Sequence, residues 1–99
     1  MVSLEMINEK LNALEACIAK CEDIEYSVRA KLGDDKEHLL NLMKVCVANG
    51  RVLFNGTIEN LNIEEKIEAY ETYNNRLDNY LMLFPEYNIE QDEAVTMKI

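Results

Sequence analysis

The stretch KVCVANGRVLF, residues 44–54, decides whether this chain is entirely helical or contains a β-hairpin. A hairpin is indicated by the β-branched residues on both sides of Asn49 and Gly50, a pair favoured in type I′ turns. A helix would continue the apolar spacing of Leu39 and Leu42, and would tolerate Gly50 at a cost of about 1 kcal/mol. We favour the helix, because a lone two-stranded hairpin is marginal in water and a long N-terminal helix needs a long partner.

The N-terminal third of the chain predicts one long amphipathic helix. Ser3 is a suitable N-cap, and apolar residues then recur at alternating steps of three and four, with an interruption at Glu25. Gly33 offers a left-handed cap at the end. We therefore predict a helix over residues 4–31, roughly 40 Å long at 1.5 Å per residue. Its apolar seam consists of Leu4, Ile7, Leu11, Leu14, Ile18, Cys21, Ile24, Val28 and Leu32.

Two further helices are predicted, and the start of each is marked by a pair of residues with the spacing of a capping box. In such a box the first side chain accepts a hydrogen bond from the backbone of the second residue, and the second side chain accepts one in return. The pairs are Asp34 with Glu37, before a helix at about 35–54, and Asn62 with Glu65, before a helix at about 63–84.

These elements predict an all-α fold, an antiparallel three-helix bundle with a long N-terminal helix. The domain would span residues 1–84, because Pro85 disfavours helical geometry in the residue before it. Residues 85–99 are expected to form an acidic, largely flexible tail. The first helix would extend beyond its partners, so we expect a second copy to cover its apolar end in a symmetric homodimer. The residues predicted for this self-association are Leu4, Ile7, Leu11 and Leu14.

The charge of the chain argues against several classes of function. Ten basic and nineteen acidic residues give a net charge of −9. A chain this acidic is a poor direct ligand for nucleic acid or for an anionic membrane. There is neither an apolar run long enough to span a membrane nor a signal-peptide pattern at the start, so we expect a cytoplasmic protein. Most of the excess negative charge lies within residues 62–99.

Few residues could carry chemistry. Cys17, Cys21, Cys46 and His38 have the composition of a zinc site, but an antiparallel pairing would place His38 about 12 Å along the helix axis from Cys46. We expect the three cysteines to be free thiols of the core in a reducing compartment. The isolated glycines form no phosphate-binding loop, and the single histidine has no nucleophile beside it. We therefore expect no enzymatic activity, metal or cofactor.

The third predicted helix carries the strongest indication of a binding surface. It combines tyrosines, which are enriched at interface hot spots, with acidic residues that can select a basic partner. The alternative is that the tyrosines cover the edge of the core with their hydroxyls in water, and that the carboxylates form a solvated face. The residues predicted to bind a partner are Tyr70, Tyr73, Tyr80, Tyr87, Glu64, Glu68, Glu71 and Asp78.

The sequence leaves three classes of non-enzymatic function open. The first is a protein-interaction module that docks on a basic surface of a partner and inhibits it, in its most specific form a phage-encoded mimic of nucleic acid. The second is a structural or assembly protein, a helical chaperone or adaptor that acts through apolar helix packing. The third is a helical oligomer that binds a small ligand. Salt separates the first two, because screening weakens a charge-driven complex but hardly affects an apolar one.

Overall fold

The computed structural model describes residues 2–87, which form helices joined by short connections. No strand occurs in that range, so the predicted all-α fold is confirmed, and the alternative hairpin is wrong because residues 44–54 lie within one helix. The helices are α1 (Leu4–Lys20), α2 (Ile24–Arg29), α3 (Lys36–Phe54) and α4 (Ile63–Leu81), with 3-10 turns at Gly33–Asp35 and Thr57–Asn60.

Helix α1 packs against both α3 and α4. Arg51, near the end of α3, donates a hydrogen bond of 2.9 Å from Nη2 to Oδ1 of Asn12 in α1, and Lys36 at the start of α3 lies near Cys21 at the end of α1, so α3 runs antiparallel to α1. Lys10 of α1 donates to Asn74 in the second half of α4, and Lys20 at the end of α1 reaches Glu86 beyond the end of α4, so α4 runs parallel to α1. The three long helices therefore form an up-down-up bundle.

The core lies along the inner face of α1 and is closed by an aromatic group at each end. At one end, Phe54 of α3 packs against α4. At the other end, Phe84 stacks on Tyr26 with their ring centroids 6.4 Å apart. No charged or polar residue is buried among the described residues. The core consists of Ile7, Leu11, Leu14, Cys17, Cys21, Tyr26, Ala30, Leu32, Met43, Cys46, Val47, Phe54, Ile58, Tyr73, Leu77, Leu81 and Phe84.

The predicted helix over 4–31 is wrong in its second half. The helix ends at Lys20, and after a turn Asp23 caps a new, short helix by accepting a hydrogen bond of 3.0 Å from the backbone of Tyr26. The break changes which side of the chain faces the core. Tyr26 enters the core, whereas Ile24 and Val28, which the heptad pattern assigned to the seam, are 80% and 78% exposed.

The two predicted capping boxes have different outcomes. Asn62 and Glu65 form the complete box at the start of α4. Asp35, not Asp34, occupies the N-cap position of α3, and its side chain makes no capping hydrogen bond. Gly33 has a φ of 68°, as expected for a left-handed turn, but it begins a 3-10 turn and does not cap a long helix.

The C-terminal boundary differs slightly from the prediction. α4 ends at Leu81, and residues 85–87 form a further helical turn that begins with Pro85, where the missing backbone N–H costs nothing. The rest of the predicted tail, 88–99, lies outside the described residues. Within 2–87, none of the helices combines the length and apolar character that crossing a membrane requires.

Candidate functional site

An acidic surface with an apolar centre covers the first half of α4. Glu64, Glu68 and Glu71 follow one another at helical spacing, and Ile63 and Ile67 lie beside them on the same side of the helix. All five side chains are exposed, with 76% of Ile63 and 54% of Ile67 accessible to solvent. We call these five residues the acidic α4 surface.

The position of α1 explains why the two isoleucines remain in solvent. The heptad spacing of α4 would place them in the core, but the Lys10–Asn74 hydrogen bond sets the register between the two parallel helices. Lys10 contacts both Asn74 and Asp78, so Leu4 at the start of α1 is level with Glu68 or with Thr72, one turn later. Ile63 and Ile67 therefore lie beyond the beginning of α1, and none of the other helices within residues 2–87 covers them.

The three carboxylates of this surface have no counter-charge within residues 2–87. Among the described residues, none of them forms an ion pair or a side-chain hydrogen bond. Like charges three or four residues apart on a helix destabilise it by about 0.2–0.5 kcal/mol per pair. Glu64 also lies in the first turn of α4, where the helix dipole favours a negative charge and offsets its repulsion with Glu68. The three residues thus form a stripe of negative charge that is unpaired within residues 2–87.

Asp78, which was also predicted to bind another protein, makes its contacts within the chain. Its carboxylate lies 2.8 Å from Nζ of Lys10 and also accepts a hydrogen bond of 3.2 Å from the hydroxyl of Tyr87. These contacts bind α4 to α1 and to the turn at 85–87. Asp78 therefore serves the packing of the bundle, and we leave it out of the acidic α4 surface.

The predicted tyrosines point towards the bundle instead of forming a strip on its surface. Tyr73 is only 9% exposed, and its ring meets Phe54 edge-on with the centroids 5.2 Å apart. Tyr70 is half-buried and also packs against Phe54, with the ring centroids 5.2 Å apart. Tyr80 and Tyr87 are half-buried against the core. Tyr73 in particular offers too little surface to bind a partner, which corrects the sequence-based assignment.

The self-association residues predicted in the first helix also need correction. Ile7, Leu11 and Leu14 are completely buried in the core of the single chain, and only Leu4 remains 40% exposed. The expected overhang disappears because α1 ends at Lys20 and is no longer than its neighbours. These three residues provide no surface for a second copy.

The three cysteines are free and buried. Burial raises the pKa of the thiols of Cys17, Cys21 and Cys46, so they stay protonated at neutral pH, whereas both metal binding and nucleophilic attack require a thiolate. His38 is exposed at the start of α3. In the part of the chain that the structure describes, His, Cys, Asp and Glu side chains form no group of three or more suited to a metal ion.

A small polar cluster that the sequence did not indicate joins α1, α2 and the turn at 85–87. The hydroxyl of Tyr26 donates a hydrogen bond of 2.9 Å to Glu86, and Nζ of Lys20 lies 3.1 Å from the same carboxylate. Burial, aided by the neighbouring Glu86, raises the pKa of Tyr26. Partial burial alone would raise the pKa of Glu86, but the bonds from Lys20 and Tyr26 outweigh it, and the pKa is lowered.

This cluster predicts a small, pH-dependent contribution to stability. Because the pKa of Glu86 is lowered in the folded state, its stabilisation is present above the unfolded-state value of about 4.3 and is lost as the pH falls through the folded value. Glu86→Gln should cost about 0.5 kcal/mol at pH 7, since the pair is half exposed, and nothing at pH 2. Urea unfolding at both pH values measures this. Glu9→Gln, at an exposed residue outside this cluster, is the control for the substitution itself. An equal loss from Glu86→Gln at both pH values would contradict the prediction.

A groove of about 860 Å³ runs between α1 and α3. Its apolar floor includes Ile18, Leu40 and Val47, and charged side chains such as Glu22 and Lys44 stand at its rim. Small-ligand sites usually add buried polar groups that orient the ligand. The described residues provide none there, so the groove gives no specific support to the ligand-binding alternative.

Comparison with protein-family models, with curated proteins and with solved structures found no match for this chain.

Proposed function

We propose that this chain is a non-enzymatic protein-interaction module whose acidic α4 surface docks on a basic surface of another protein. The observation that supports the proposal is the combination of two exposed isoleucines with three exposed carboxylates that have no ion pair within residues 2–87. An apolar centre within a polar rim is the usual composition of a protein interface. The partner would therefore present Lys and Arg side chains around a small apolar depression.

Energetics support a role in binding for this arrangement. The spacing of Glu64, Glu68 and Glu71 holds like charges close together, and basic groups of a partner would relieve their repulsion on binding. Rim charges mainly increase the association rate and select the partner, and burial of Ile63 and Ile67 would add affinity. If the basic surface is a nucleic-acid-binding groove, the bound carboxylates would occupy the positions of phosphates, and the module would act as an inhibitor.

Neutralising the three carboxylates of the acidic α4 surface tests the proposal. The triple variant Glu64→Gln, Glu68→Gln, Glu71→Gln should bind the partner roughly tenfold to a hundredfold more weakly, at up to about 1 kcal/mol per exposed charge pair. A matched control neutralises Glu9, Glu25 and Glu37, which are also exposed and unpaired among the described residues. Each chain is immobilised, exposed to lysate of the source cells and eluted in steps of increasing salt, and the eluates are compared by mass spectrometry.

The expected result is a stoichiometric protein that the wild type and the control capture, that moderate salt releases, and that the α4 triple variant loses. Ile67→Gln should weaken the same interaction without changing its dependence on salt, because it removes apolar contact but no charge. Equal capture by all three chains, or a partner that resists high salt, would overturn the proposal. Either result would favour assembly through apolar helix packing.

A further inference from the structure

A second unpartnered surface lies on the outer side of α3. Leu42, Val45, Asn49 and Val52 follow at steps of three, four and three, which is the spacing of the a and d positions of a coiled coil. They face away from the bundle core, with 41% of Leu42, 56% of Val45 and 68% of Val52 exposed. We call these four residues the α3 seam.

The charge distribution indicates which occupant the α3 seam can accept. Each copy of the chain carries a net charge of −9, so most pairs of surfaces on two copies repel each other. The sequence has no acidic residue between Glu37 and Glu59, the segment that contains almost all of α3. Its two cations, Lys44 and Arg51, stand on the rim of the α1–α3 groove and not in the seam. The seam is therefore a surface on which two copies can meet without bringing carboxylates together.

Asn49 indicates how two copies would be arranged. A polar residue in the centre of an apolar seam would lose its hydrogen bonds to water on burial, unless its partner replaces them. In a parallel helix pair, equivalent a positions face each other, and two Asn side chains can each donate to and accept from the other. We propose that the α3 seams of two copies pair around a two-fold axis parallel to α3, with Asn49 opposite Asn49.

The size of the seam sets the expected strength. From Leu42 to Val52 it is about 15 Å long, so the contact falls below the roughly 1,200 Å² of a standard interface. We expect a weak dimer that forms at micromolar or higher concentrations. Tyr73 lies on the side of α4 that faces α3. The helical spacing places Glu64 and Glu71 on the opposite side of α4. The pairing therefore leaves both acidic α4 surfaces uncovered, and the dimer would present two of them.

Sedimentation equilibrium of the full chain from 1 μM to 1 mM tests the association. Val45→Glu places two carboxylates in the seam and should raise the dissociation constant at least a hundredfold, because each buried, unpaired charge costs several kcal/mol. The control is Val28→Glu on α2, where the side chain is also exposed but lies outside the seam, and it should leave the dimer intact. Circular dichroism verifies that both variants keep their helix content.

Disulfide cross-linking tests the arrangement. Asn49→Cys should form a covalent dimer on mild oxidation, whereas Thr72→Cys, exposed on α4, should not, and the native cysteines are too buried to compete. A monomer at every concentration, or a dimer that survives Val45→Glu, would overturn the proposal. A dimer that Val45→Glu dissociates but Asn49→Cys does not cross-link would overturn the parallel pairing. These results are independent of the acidic α4 surface.

Discussion

Replacing Phe54 by alanine is expected to lower the free energy of unfolding by about 3–5 kcal/mol, the range for large-to-small changes at buried aromatic positions. Phe54 is 2% exposed at the end of α3. Its ring contacts Tyr70 and Tyr73 of α4, in each case with 5.2 Å between centroids. Removal would leave a cavity at the end of the bundle where α3 and α4 meet, and both tyrosines would lose their main neighbour.

The loss is large compared with the total stability of a domain of this size, which is commonly about 5–15 kcal/mol. Thermal unfolding followed by circular dichroism should show a midpoint roughly 15–30 °C lower. Ile24→Ala, which removes an apolar side chain that is 80% exposed on α2, is the control and should change stability by less than about 0.5 kcal/mol. A loss below about 1 kcal/mol for Phe54→Ala would show that α3 and α4 do not pack as described.

Replacing Gly50 by leucine is expected to destabilise the chain by about 3 kcal/mol, although glycine is the poorest helix former after proline. A Cβ atom at this position would lie 2.9 Å from Cδ2 of Leu11 and 3.1 Å from Cε1 of Tyr73. Both neighbours belong to the core and have little room to move. The glycine thus lets α1, α3 and α4 approach one another closely at the centre of the bundle.

Three variants measured by urea unfolding separate the packing effect from helix propensity. Ala48→Leu, in the same helix but exposed, should be nearly neutral. Leu11→Ala creates space beside Gly50, so its combination with Gly50→Leu should cost clearly less than the sum of the single changes. If Gly50→Leu is neutral or stabilising, or if the two changes are additive, the close approach at Gly50 is not as the structure has it.

Local sequence signals located α3 and α4 well. The capping box of Asn62 and Glu65 places the start of α4 correctly, because both hydrogen bonds form within one turn and need no other part of the chain. The predicted end of α3 at residue 54 is also correct. For residues 44–54, in contrast, local signals supported a hairpin and a helix, and the contacts of Gly50 with α1 and α4 explain why glycine stands inside a helix there.

The candidate site was predicted only in part for the same reason. The sequence identified Glu64, Glu68 and Glu71 as candidates, and the structure leaves them exposed and without an ion pair among the residues it describes. It also included Tyr73, which is buried, because helical spacing shows that residues share a side but not which side faces the core. The exposed Ile63 and Ile67 were missed, since the heptad pattern continues regardless of where α1 begins.

By itself, the sequence determined the helical fold class, the strongly negative charge and the starts of α1, α3 and α4, since these depend on composition and on contacts within a few residues. The tertiary structure decided where α1 breaks, because Tyr26 gains its place against Phe84 only when the chain turns at Asp23. It also decided which apolar residues lie in solvent. Burial depends on whether another helix reaches that level of the bundle, and no local pattern contains that information.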